Sequence, residues 1–179
     1  MWLPVIGVAV CCALACAAVV GGPSESLHWE VGDYVLVSET DTGWRGIGGR
    51  ATKERIFAQP GATTADWTIT LHVVELPIAV TLGGEMRWSA EGIMEAQRKG
   101  LAEEGCDDPW HVIRSDAHSL VYERTAVDCP GSLHDHEIGR ILVGDWTMGW
   151  ASYRIRNRSL SDEERAELIA TLEQGQVID

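Results

Sequence analysis

Hydrophobic positions along the chain follow three patterns: a continuous run, a period of two and a period near 3.6. Residues 2–20 are almost continuously apolar, and no side chain in residues 1–24 is charged. In residues 67–76, Trp67, Ile69, Leu71 and Val73 alternate with Thr68, Thr70, His72 and Val74, which predicts a strand with one apolar face, ended by Pro77. Residues 34–37 and 55–58 predict shorter strands, with the Gly-, Asp- and Thr-rich residues 40–49 as the loop or hairpin between them. Residues 110–113 and 119–122 predict a hairpin around the turn at 115–117, and residues 150–155 a further strand.

The longer period marks helices. Met86, Ala90, Ile93, Met94, Gln97 and Leu101 fall near helical spacing, with Glu91, Glu95, Arg98, Lys99 and Glu103 on the other side, predicting an amphipathic helix over 86–104. Ile138, Ile141 and Leu142 stand at i, i+3 and i+4 before Gly144, predicting a short helix with a glycine stop. Ser161 and Glu164 form a capping box ahead of a last helix whose apolar stripe is Ala166, Ile169 and Leu172. Strands and helices do not alternate regularly, so the expected fold class is α+β: a mostly antiparallel sheet with about three helices packed on one face.

The uncharged opening divides the chain into residues 1–22, a signal peptide or membrane anchor, and residues 23–179, a single exported domain with a short tether at 23–28. A helix over residues 2–20 would span about 29 Å, against a hydrocarbon core of about 30 Å. It has no polar face to offer water, which argues against an interior core helix. Within it, Ala13-Leu14-Ala15-Cys16 places a small residue directly before a cysteine. This segment resembles the signal peptides of bacterial lipoproteins. The resemblance implies cleavage before Cys16, lipidation of its thiol and membrane anchorage, at the outer membrane in a two-membrane bacterium because Ala17 follows. Ala13-Leu14-Ala15 and Ala15-Cys16-Ala17 also fit an ordinary secretory cleavage, and the apolar run to Val20 fits an uncleaved anchor. All three readings place the domain outside the cytoplasm, in the periplasm or cell envelope.

The formal charge of −13, from 27 acidic and 14 basic side chains, belongs wholly to the residues after the opening segment. Such a field opposes nucleic acid and anionic lipid as partners. Of the five cysteines, Cys11 and Cys12 leave with a cleaved signal and Cys16 takes lipid. Cys106 and Cys129 remain, and in an oxidising compartment the pair is most simply a disulfide. Eight tryptophans against one phenylalanine read as core filler in place of phenylalanine, with a carbohydrate or aromatic-ligand surface as the alternative.

The densest group of ionisable side chains is His134-Asp135-His136-Glu137. In a strand or loop, His134 and His136 share a face and suit a divalent metal, with Asp135 or Glu137 as oxygen ligand. In the predicted helix they diverge by about 200°, and the acids serve the helix dipole instead. No second histidine follows His136-Glu137 at zinc-protease spacing, and Ser89 lacks the glycine of a nucleophile elbow. His111 and His118 flank the hairpin turn. The Gly-rich residues 43–50 fit neither phosphate-loop spacing, so no cofactor is expected. Arg154, Arg156 and Arg158 alternate, forming on an extended segment a basic contact surface for an acidic partner or phosphate, or pairing with the sheet's own carboxylates. The expected function is a non-catalytic envelope binding or interaction module, with the membrane and another envelope protein as partners. The alternatives are a hydrolase or metal enzyme using His134, His136, Asp135 and His111, and a structural envelope component.

Overall fold

The computed structural model describes residues 26–45, 51–61, 68–77, 89–106, 109–125 and 136–178. The opening segment with Cys16, and also Cys129, His134 and Asp135, lie outside them. In chain order the elements are β1 (Ser26–His28), β2 (Val35–Arg45), β3 (Ala51–Ala58), β4 (Ile69–Pro77), α1 (Ala90–Glu103), β5 (Trp110–Ser115), β6 (Ser119–Thr125), β7 (His136–Val143), β8 (Thr147–Ile155), α2 (Asp162–Glu173) and β9 (Gln176–Ile178). The fold is α+β. Seven strands form one antiparallel sheet in the order β2-β3-β4-β8-β7-β6-β5, and β1 pairs with β9 in a separate two-stranded ribbon. The connection containing α1 carries the chain from β4, an interior strand of the sheet, to the edge strand β5. From there the chain meanders back through β6 and β7 until β8 lies against β4.

The apolar side chains form two cores. Leu71, Val73, Ile138, Leu142, Ala151, Tyr153 and Ile155 pack with Leu172 of α2 and with Leu27 and Trp29. Leu120, Tyr122, Ile141, Val143 and Met148 pack with Ala90 and Ile93 of α1. Ile138 and Leu142 alternate on β7 with Ile141 and Val143, so the two cores lie on opposite faces of the sheet. The described residues therefore hold two helices, one on each face, where about three on a single face were expected. Residues 138–142 are strand, not helix. Lying inside a sheet covered on both sides, β7 is apolar on both faces, and its residues imitate a helical stripe. The expected tether at 23–28 also needs correction, since Ser26, Leu27 and His28 pair with Ile178, Val177 and Gln176.

The helices are set by their ends. Ser89 caps α1 by accepting from the Gly92 N–H at 3.1 Å. At its other end Cys106 N–H donates to the Leu101 carbonyl and Gly105 N–H to that of Ala102, with Gly105 at φ 90°. This left-handed closing turn suits glycine and delivers Cys106 to a buried position. The Ser161–Glu164 capping box of α2 is present as expected. Ala166 is exposed, however, and Leu168, Ile169 and Leu172 are the side chains that reach the core. The predicted strands at 67–76 and 150–155 and the hairpin at 110–122 correspond to β4, β8 and β5–β6.

Candidate functional site

The β6–β7 register sets Tyr122 opposite Gly139, Glu123 opposite Ile138, Arg124 opposite Glu137 and Thr125 opposite His136. Successive strand side chains point to opposite faces, so Glu123-Arg124 and His136-Glu137 are each split between the two sides. One end of the β6–β7 ladder thus carries two charged networks, one per face.

On the α1 face, Glu137 is 3% and Arg124 6% exposed. Arg124 Nε donates to Glu137 Oε2 at 3.0 Å, its Nη2 lies 2.9 Å from the same oxygen, and the Tyr122 hydroxyl donates to Oε1 at 2.8 Å. Arg154, opposite Glu137 on β8, brings its Nε to 3.9 Å. Burial, together with the neighbouring Glu137 charge, pushes the Tyr122 phenol far above its ordinary value, so it stays a neutral donor. The Tyr122 ring lies across Gly139, where a Cβ would stand 2.4 Å from the ring. The Trp110 ring centroid is 4.7 Å from that of Tyr122 and 5.2 Å from the Arg124 guanidinium carbon, which closes the network on the β5 side.

On the α2 face, Glu123 is bonded to His136 Nε2 at 2.7 Å and accepts from Arg165 Nε of α2 at 3.0 Å. The hydrogen bonds from Arg165, with a smaller contribution from His136, hold the Glu123 carboxyl below its ordinary range against the opposing effect of burial. His111, opposite Glu123 on β5, is exposed. Farther along the same face, Arg140 donates from Nε to Ser119 Oγ at 2.8 Å and from Nη1 to the carbonyls of Leu172, Glu173 and Gly175 at 3.0, 2.8 and 3.0 Å. The last turn of α2 contains no basic side chain, and Arg140 supplies its terminal positive charge from the sheet. Arg114 of β5 adds an ion pair to Glu173.

Of the residues singled out in the sequence, His136 and Glu137 thus belong to two separate networks on opposite faces. Arg154 faces Glu137. The Arg156 N–H donates to the Thr68 carbonyl, and Arg158 pairs with Glu164 at the start of α2. Asn157 at φ 55° turns the chain between them, so the three arginines do not continue as one stripe. Cys106 is buried at the end of α1. Among the described residues no group of three or more His, Cys, Asp or Glu side chains is placed to hold a metal ion. The residues that sequence reasoning missed are Tyr122, Glu123, Arg124, Arg140 and Arg165. Charged residues stand at 123–124 and 136–137 in the sequence, but only the strand register makes them partners.

Chemically, these networks neutralise charge and order it. Both oxygens of Glu137 are engaged and almost without solvent contact, whereas a general acid or base must reach a substrate proton. A different kind of surface lies at the far edge of the sheet, where Val35, Leu36 and Val37 of β2 are 45%, 51% and 40% exposed. No helix among the described residues is long and apolar enough to cross a membrane. No protein-family model, curated protein or solved structure matches the chain.

Proposed function

We propose that this chain is an exported, membrane-tethered protein of the cell envelope whose domain acts as a non-catalytic binding or interaction module. The uncharged residues 1–24, with Ala15 before Cys16, support the location. Lipid on Cys16 supplies about 0.8 kcal/mol per buried methylene, and more than one acyl chain makes the anchorage stable. The observation that carries the interaction reading is the run of three exposed apolar side chains on the edge strand β2. Edge strands are templates for pairing with another chain, and folded proteins ordinarily blunt them. The charged groups of β6 and β7, by contrast, are spent on one another. In the same oxidising compartment Cys106 pairs with Cys129.

The test is the mature N-terminus of the protein recovered from its producing cell, with fractionation of a Cys16→Ser variant. The expected result is a membrane-bound chain that begins at a diacylated Cys16 and a variant that is no longer lipidated. A cytoplasmic chain retaining Met1 overturns the reading.

A further inference from the structure

We infer that β2 is a docking edge for an extended segment of a partner whose apolar centre is flanked by lysine or arginine, added to the sheet as its next strand. The inference deepens the interaction reading above and rests on it. Among the described residues β2 is hydrogen-bonded to β3 alone, and it stands at one end of the strand order. It is eleven residues long, whereas the opposite edge strand β5 has six. The exposed Val112 of β5 lies between His111 and Arg114, and Arg114 is bound to Glu173 of α2. The β5 edge is therefore shorter, with Arg114 engaged by α2, while β2 presents Val35, Leu36 and Val37 in succession. Val35 and Leu36 pair with Ala58 and Phe57 of β3, and a register shift between Leu36 and Ser38 leaves Val37 as an extra residue of β2 without a partner on β3.

Charge selects the occupant. Glu30 and Asp33 precede the apolar run, Glu39 and Asp41 follow it, and all four are exposed. On β3, Arg55 stands opposite Glu39 and is also drawn to Glu75 at 3.5 Å, and Lys53 stands opposite Asp41. A second copy of β2 laid antiparallel about Leu36 sets Asp33 against Glu39 at both ends, and like charges directly opposite are destabilising. An anionic membrane surface meets the same repulsion, which the chain's charge of −13 reinforces. A strand with basic residues on both sides of an apolar centre satisfies the hydrophobic run and the flanking acids together, with main-chain hydrogen bonds supplying affinity.

The experiment uses the protein isolated from cells that process it, with two synthetic peptides. Both have an alternating valine and threonine core; one is flanked by lysines and the other by glutamates. The lysine peptide is expected to slow amide exchange of residues 35–41, to bind about tenfold more weakly to a Leu36→Asp variant, and to weaken as salt is raised. In a Glu39→Lys, Asp41→Lys variant, which keeps Glu30 and Asp33, the preference for the lysine peptide should shrink. Leu36 is exposed, so an unchanged melting temperature of Leu36→Asp separates lost docking from lost folding. Equal binding of both peptides, or no protection of residues 35–41, overturns the inference. So does a dimer, seen by sedimentation, that Leu36→Asp dissociates. A processed N-terminus without peptide binding removes the docking edge alone, whereas retention of Met1 in the cytoplasm removes the envelope reading whatever the peptides do.

Discussion

Arg124 and Glu137 stand directly opposite each other on β6 and β7, nearly withdrawn from water and joined through the Arg124 Nε and Nη2 atoms at 3.0 and 2.9 Å. A one-residue slip of β7 against β6 would send Glu137 to the other face, where Ile138 and Leu142 now pack, and leave Arg124 without its carboxylate. The pair therefore fixes register where apolar patterning is weakest, because β7 is hydrophobic on both sides.

Removing one partner should cost more than replacing the pair. Glu137→Ala leaves Arg124 buried without its carboxylate and is expected to lose about 3–5 kcal/mol, while the joint replacement Arg124→Met, Glu137→Leu should recover much of the loss. Tyr122→Phe should cost about 1–3 kcal/mol through the lost hydrogen bond. Urea unfolding of the single and double variants measures this. A double variant no more stable than Glu137→Ala would contradict it.

Gly139 is held open for the Tyr122 ring. Gly139→Ala is expected to destabilise by about 1–3 kcal/mol through overpacking, because its Cβ would stand 2.4 Å from the ring. In a Tyr122→Leu background the same change should cost markedly less. Additive denaturation midpoints would show that the two positions do not share this space.

Arg140→Met should release the C-terminal turn of α2. Three carbonyl contacts and the hydrogen bond to Ser119 disappear together, for an expected loss of about 2–3 kcal/mol. Amide exchange within residues 162–173 should rise before that of β7 and β8. Uniform acceleration across the domain would instead mean that α2 and the sheet open as one unit.

Acid should loosen α2 first. Hydrogen bonds from the Ser161 backbone, from Arg158 and from the Ser161 hydroxyl lower the Glu164 carboxyl to about 2, and Glu123 is lowered chiefly by Arg165. Both folded-state values lie below those of the unfolded chain, so the stabilisation is complete above the unfolded carboxylate range and is lost as pH falls through the folded values. Helical signal and α2 protection should decline from about pH 4.5 towards pH 2, with a weaker pH dependence in Glu164→Gln. An α2 whose protection does not change over that window would contradict the assignment.

The proposed Cys106–Cys129 bond should leave neither thiol open to alkylation in the native, unreduced protein. Its mass should be two hydrogens below that of the reduced form. Closing a loop of about 24 residues should contribute roughly 3 kcal/mol. Alkylation of both cysteines under native conditions would rule the bond out.

Local rules located most elements where one face meets water. The alternation of Ile69, Leu71 and Val73 with polar neighbours marked β4, and Ser161 with Glu164 marked the start of α2, because both depend on contacts a few residues apart. The same reasoning failed for residues 138–142, where burial on both sides erased the period of two, and for β1 and β9, whose three-residue strands have no period to read. His136 and Glu137 were legible as a chemical cluster, but not as members of separate networks.

The order of residues alone determined the uncharged opening segment, the acidic balance of the rest, the antiparallel α+β class and the Ser161–Glu164 cap of α2. Only the tertiary structure decided that Arg124 answers Glu137, that Arg140 closes a helix more than thirty residues away, and that Val35, Leu36 and Val37 stand on an outer edge. Composition and short-range periodicity are properties of neighbouring residues. Pairing, burial and edge position depend on which distant strands meet and in what register, and that is settled when the whole sheet closes around its two cores.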